Sequence, residues 1–269
     1  MLECVINISE GRDSEVLRAL DVAAGESLRD RHSDPHHHRS VFTLIHHVDE
    51  LRRDVHALAL ATLELVDLTR HHGVHPRLGV LDVVPFVALE PSQAPRAIEE
   101  RDRVARWLGE RGVPVFLYGP LASGQRELPT LRREAFRSLA PEWGPPSPNP
   151  RWGSSAVGAR DVLLAWNIWL RDVSLSDTRS VARDLRRPGL RTLGLAVGEF
   201  TQVSCNIVDW TMASPLEVYD TVAQRVGLSR IERAELVGLA PRAVLHTLPE
   251  ERWEQLGFSE STTIEGRLA

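Results

Sequence analysis

Lysine is absent from this 269-residue chain, so all 32 basic residues are arginine. Without a primary amine there is no Schiff-base chemistry, no lysine-bound pyridoxal phosphate and no Walker phosphate loop. Cysteine is nearly absent: Cys4 and Cys205 stand alone, without the spacing of a disulfide framework or a zinc cluster, which fits a reducing compartment. No stretch approaches the roughly 20 apolar residues of a membrane span, and no basic region followed by an apolar run opens the chain. A cytoplasmic protein is the expectation. The net charge of −5 supplies no general attraction to nucleic acid or to an anionic membrane, so neither is expected as a partner.

What remains is an ordinary globular composition, 42% hydrophobic and 26% charged, long enough for one large domain or two small ones. Histidine is unevenly placed. The segment Thr-Arg-His-His-Gly-Val-His-Pro-Arg-Leu-Gly-Val-Leu-Asp-Val-Val-Pro, from Thr69 to Pro85, holds three histidines, two arginines and an aspartate between an apolar helix pattern and an apolar strand. Gly73 and Pro76 give it the grammar of a loop and keep His75 out of a helix. An imidazole so placed can give or take a proton near neutral pH, while Arg77 and Asp82 can bind a carboxylate and a cation. A polar surface loop is the plainer reading. A zinc site is a third, since His71 and His75 are four apart, but that spacing serves zinc on a helix and no glutamate completes the motif. The run His36-His37-His38 reads as a solvated turn rather than a metal tract, because consecutive turn side chains point in different directions.

In chain order, Leu2 to Ile6 is a buried strand that empties into Asn7-Ile8-Ser9-Glu10-Gly11, and a capped helix follows. Strands near Leu28 to His32 and Ser40 to Val48 precede a helix in which Leu51, Val55, Leu58, Thr62 and Leu65 share a face. Val83 to Leu89 closes the series as a strand. The second half, from Asp161 to Leu239, gives the same order of strand, helix, strand, strand, helix, strand. This is the split βαβ pattern twice, and the expected fold class is α+β with two tandem ferredoxin-like subdomains. Their expected extents are residues 1–146 and 147–250, followed by a C-terminal tail over 251–269 that is expected to fray from Ser259.

Between the halves lies Gly144-Pro145-Pro146-Ser147-Pro148-Asn149-Pro150-Arg151-Trp152-Gly153. Proline-rich chain is stiff and suits a linker. Trp143 and Trp152, if exposed, would also make a wall for a flat heteroaromatic ligand. Ser154 to Arg160 is a weak imitation of a phosphate cradle without lysine.

Several motifs occur together in the order of one family: Asn7-Ile8-Ser9-Glu10-Gly11, Arg70-His71-His72-Gly73-Val74-His75-Pro76-Arg77-Leu78-Gly79, Leu81-Asp82-Val83, Val115-Phe116-Leu117-Tyr118-Gly119, Gly158-Ala159-Arg160 and Leu236-Val237-Gly238-Leu239. On these residues the chain resembles the formiminotransferase domain of the glutamate formiminotransferase family. The resemblance implies two ferredoxin-like subdomains with folate between them, a homodimer, tetrahydrofolate as co-substrate and no metal. It also implies transfer of a formimino group from N-formimino-L-glutamate to N5 of tetrahydrofolate, with His75 as the catalytic histidine and Gly144 to Gly153 as the folate-binding stretch. Side-chain chemistry then assigns Arg39 and Arg77 to substrate carboxylates, and Asp82 to the formimino cation or to orienting an imidazole. The family's usual aspartate and asparagine appear here as His32 and His38, and its Gly-Glu-Tyr as Glu134-Ala135-Phe136. Two alternatives stay open: a folate-binding protein without activity, and a metal-dependent hydrolase using His71, His75 and the His36 to His38 run.

Overall fold

A computed structural model describes residues 1–73 and 77–269; Val74, His75 and Pro76 lie outside the described residues. The chain forms two compact units, Met1–Val162 and Leu163–Ala269.

In the first unit β1 (Leu2–Ile8) is followed by α1 (Ser14–Ala24), β2 (Leu28–Asp34), β3 (Arg39–His46), α2 (Val48–Leu65) and β4 (Leu81–Ala88). These four strands lie in the order β2-β3-β1-β4, with antiparallel pairing throughout. This is the expected split βαβ arrangement. The alternation in β1 explains the layering: Leu2, Cys4, Ile6 and Ile8 are fully buried against Leu17 and Leu20 of α1 and Leu51, Val55 and Leu58 of α2, while Glu3, Val5 and Asn7 take the opposite face. Asp13 starts α1 by accepting the amides of Glu15 and Val16 at 2.9 and 3.1 Å, and Gly25 at φ +60° ends it. Of the helical stripe predicted for α2, Leu65 alone is exposed.

The unit then extends its own sheet through α3 (Ala94–Gly109), β5 (Val115–Leu121), β6 (Gly124–Arg126), α4 (Leu128–Glu134) and β7 (Ser155–Arg160). β7 inserts between β4 and β5, parallel to both. The sequence reading missed this strand because it is built from small residues, whose apolar signal is weak. The structure needs them small: a Cβ on Gly158 would sit 2.2 Å from the Tyr118 ring. Insertion of β7 also carries the division between units past the proline segment, to Val162 and Leu163, where the sequence placed it between 146 and 147. The proline segment is therefore part of the first unit.

The second unit repeats the order with β8 (Leu164–Leu170), α5 (Leu175–Asp184), β9 (Leu190–Val197), β10 (Phe200–Ile207), α6 (Pro215–Val226) and β11 (Ile231–Val237), arranged β11-β8-β10-β9. The hairpin predicted at Gly198-Glu199 forms, with Val197 paired to Phe200 and Gly198 at φ +63°. The tail is not frayed. Short helices α7 (Arg242–Leu245), α8 (Trp253–Leu256) and α9 (Ile264–Leu268) fold back on the unit, Phe258 and Ile264 are buried, and the buried Trp166 indole donates to the Leu256 carbonyl at 2.7 Å. Burial of these apolar groups and the Ala240 amide bond to the Thr262 carbonyl at 3.1 Å outweigh terminal fraying. Among the described residues no helix is long and apolar enough to cross a membrane.

Candidate functional site

At the end of β1 the pairing with β4 shifts register between Asn7 and Ile8, and the strand opens into a loop. Ser9 holds this exit to the histidine segment, its hydroxyl donating to the Gly79 carbonyl at 2.8 Å. Glu10 then turns its carboxylate back on the chain: one oxygen accepts the amides of Gly11, Arg12 and Asp13 at 2.8, 2.7 and 3.0 Å and lies 3.1 Å from His38 Nε2. Burial alone would raise this acid, but the three amides and His38 outweigh it and hold the carboxyl below its usual range.

The turn joining β2 to β3 is tied by Asp34, whose Oδ1 accepts the amides of His36 and His37 at 2.7 and 2.8 Å. It is not the solvated turn expected from sequence, because His37 and His38 are both buried. His38 has φ +49°, in the left-handed region where asparagine is the favoured non-glycine residue. The His38 ring stacks on His71 with centroids 3.8 Å apart, and His71 Nε2 donates to the His38 carbonyl at 2.7 Å.

Burial, reinforced by the Arg77 guanidinium against the ring, pushes His71 down to about 4 although the His38 carbonyl opposes the shift. In the unfolded chain this ring protonates near 6.5, so between there and about pH 4 the unfolded state binds more protons and stability falls as pH falls. A His71→Asn variant should flatten that slope, read as urea midpoints across the window.

Asp82 is the centre of charge. It is fully buried, and its Oδ2 receives Arg39 Nη1 at 2.6 Å and Arg132 Nη2 at 2.7 Å. Its Oδ1 accepts the Leu78 amide at 2.6 Å, and Arg39 Nε also donates to Asn7 Oδ1 at 3.2 Å. Burial would raise the acid, but the two guanidiniums overcome it and Asp82 is held at about 2. A carboxylate clasped by two arginines acts as a holder of guanidiniums. Arg77 is close enough to feel Arg39, Arg132 and Asp82, and its Nη2 donates to the His37 carbonyl at 3.3 Å. Two guanidiniums clasp one carboxylate and a third, Arg77, is near enough to interact with all of them, a local excess of positive charge in a protein that is acidic as a whole.

Arg132 escaped the sequence reading. It sits on the short helix α4 with no motif around it, and the only available signal was its place beside Leu131, which is buried. His75, the residue on which the sequence reading turned, lies outside the described residues. Its neighbours Gly73 and Arg77 both lie against the backbone of His37: a Cβ on Gly73 would meet the His37 oxygen at 2.4 Å.

The stretch Gly144 to Gly153 reaches the same end of the sheet. Val80 donates its amide to the Trp152 carbonyl at 2.9 Å, and Gly79 pairs with Gly153. The two tryptophans do not form an exposed wall. Trp152 packs on the helix-side core with its indole donating to the Leu63 carbonyl at 2.8 Å, and Trp143 packs on the same core beneath the Arg106 guanidinium, 5.0 Å away. Buried indole surface is worth more against the core than in water. The exposed part of the stretch is Gly144 to Pro148 with Pro150 and Arg151. Among the described residues no group of three histidine, cysteine or acidic side chains is placed to hold a metal ion.

Residues 1–160 match the family described as the formiminotransferase domain, N-terminal subdomain. The chain is similar to the glutamate formimidoyltransferases of Streptococcus pyogenes serotype M1, 31% identical across 93% of this chain and 92% of the relative, and of Thermoplasma acidophilum, 30% identical across 100% and 97%. It is also 33% identical to the formimidoyltransferase-cyclodeaminase of Sus scrofa across 91% of its length, and spans about half, 51%, of that longer relative. With its paired split βαβ units and the guanidinium cluster beside the histidine segment, the chain belongs to the formiminotransferase family.

Proposed function

We propose that this chain transfers a formimino group from N-formimino-L-glutamate to N5 of tetrahydrofolate, with His75 moving the proton. The names of the relatives support the reaction class, and the observation that carries the placement is the buried Asp82 clasping Arg39 and Arg132 beside the described flanks of His75. Guanidiniums anchored from behind keep an arginine cluster rigid and cationic, which suits a donor rich in carboxylates.

The transfer balances with one imidazole. N5 attacks the formimino carbon and loses its proton as the N5–C bond forms; the C–N bond to glutamate then breaks, and glutamate's nitrogen takes that proton as it leaves. A single histidine acts first as base and then as acid. His71, pushed down to about 4, is a poor base for this step and is better cast as the ring that stacks on His38 and holds the segment in place. Gly144 to Gly153 remains the proposed folate-binding stretch, now through its exposed prolines and backbone rather than its indoles. The test is to supply donor carrying a carbon-13 formimino group with tetrahydrofolate and to follow the label by NMR. The label is expected on the folate only when protein is present; label that stays on glutamate would refute the activity.

A further inference from the structure

The face of the first sheet opposite α1 and α2 carries a second feature that the arginine cluster does not explain. Glu3, on β1, is 3% exposed. Cross-strand neighbours place it beside Ile45 and Val87, and Val87 in turn beside Arg160. Among the described residues its carboxyl makes no hydrogen bond and no ion pair. Burial lifts it to about 7 despite the opposing charge of Arg160. One row further along the same face Thr43 is fully buried, and its hydroxyl has no hydrogen-bond partner among the described residues. In that row the floor is made of Val5, Pro85 and Gly158, with the Tyr118 ring lying over Gly158. Val5, Asn7, Arg39 and Arg132 are only half-buried, so the strip of this face from Glu3 to the arginine cluster is partly exposed along its middle and far end, while Glu3 and Thr43 are buried. Four residues of strand separate Glu3 from Asn7, about 13 Å between their Cα atoms.

A buried carboxyl beside an orphaned hydroxyl is costly unless a ligand supplies donors to them. The strip has the length of a flat bicycle held at both ends. A pterin presents two adjacent donors, its 2-amino group and N3–H, at the end of the ring system away from the side chain at C6, and a carboxylate accepts both as it would a guanidinium.

We propose that Glu3 is the pterin-recognising residue, accepting the 2-amino and N3 hydrogens with the Thr43 hydroxyl completing the contact, so that N5 is presented toward the arginine and histidine end of the strip. This rests on the folate reading above and adds the orientation of the ring. It also accounts for retention of an acid that burial disfavours. Because the folded state holds a proton on Glu3 more tightly than the unfolded chain, stability falls as pH rises from 4.5 through about 7. A Glu3→Gln protein, neutral at all pH values, should therefore be at least as stable as wild type at pH 8.

The experiment is calorimetric titration, at pH 7.5 and under anaerobic conditions, of wild type, Glu3→Gln and Thr43→Val with tetrahydrofolate and with its 2-desamino-2-methyl analogue. Wild type should prefer tetrahydrofolate at least tenfold. Glu3→Gln should lose at least tenfold in tetrahydrofolate affinity and less than half that factor in affinity for the analogue, which keeps N3–H but lacks the 2-amino group, and Thr43→Val should lose about threefold. Equal losses for both ligands in Glu3→Gln, or no loss in either variant, would overturn the assignment while leaving the folate reading intact. A wild-type protein that binds no tetrahydrofolate would overturn both.

Discussion

Replacing Asp82 with asparagine should lower stability at pH 7 by about 3 to 5 kcal/mol, the range for breaking a buried ion pair by removing one partner. The change preserves shape and removes only the charge, so packing loss is not the cause. What it leaves is two guanidiniums, Arg39 and Arg132, whose side chains are 13% and 18% exposed, facing each other without the carboxylate that neutralised them. The Leu78 amide also loses its charged acceptor. The pH dependence gives an independent check. Asp82 ionises at about 2 when folded, below its ordinary 3.8, so its contribution is complete above the unfolded value and is lost as pH falls through the folded one. Wild type should lose stability between about pH 4 and pH 2, and Asp82→Asn should lack that part of the slope. Urea denaturation across the pH range reads both effects. An asparagine variant as stable as wild type, with an unchanged acid limb, would mean the clasp contributes nothing to holding the two arginines.

The same residue shows where sequence reasoning reaches its limit. That Asp82 matters was visible from its company of histidines and arginines. That both its oxygens are occupied was not, because Arg132 arrives from a helix fifty positions later in the chain, and pairings at that separation leave no local periodicity. The two split βαβ units were legible because their strands and helices are amphipathic at regular periods, Leu51, Val55 and Leu58 on α2 being the plainest case. β7 was not, because Ser155, Ala156, Gly158 and Ala159 are chosen for the room they leave rather than for apolar bulk. The tail was misjudged for a related reason: its anchors, Phe258 and Ile264, are single side chains separated by polar residues, and their burial appears only when the rest of the unit is present. The histidine turn at 36 to 38 was misjudged because turn chemistry predicts exposure, whereas Glu10 and His71 on one side and Asp34 on the other enclose it.

The second large effect belongs to His75. If its imidazole carries the proton from N5 to the departing nitrogen, His75→Ala should reduce kcat by about 10² to 10⁴, the usual contribution of general acid and base catalysis. Affinity for both substrates should change by less than threefold, since the donor's carboxylates are assigned to arginines and the pterin edge to Glu3. Loss of rate without loss of binding separates a catalytic role from a positional one. The residual rate should also lose the acid limb that a titrating base imposes on wild type, because His71, protonating near 4, cannot replace it.

Whether His75 moves the proton in formimino transfer is tested most directly by single-turnover formation of formimino-folate by wild type and His75→Ala, both saturated with tetrahydrofolate and N-formimino-L-glutamate. Rapid product from wild type, with a rate at least a hundredfold lower from His75→Ala, is the predicted result. Equal rates from the two proteins, or no product from a wild type that binds both substrates, would contradict it.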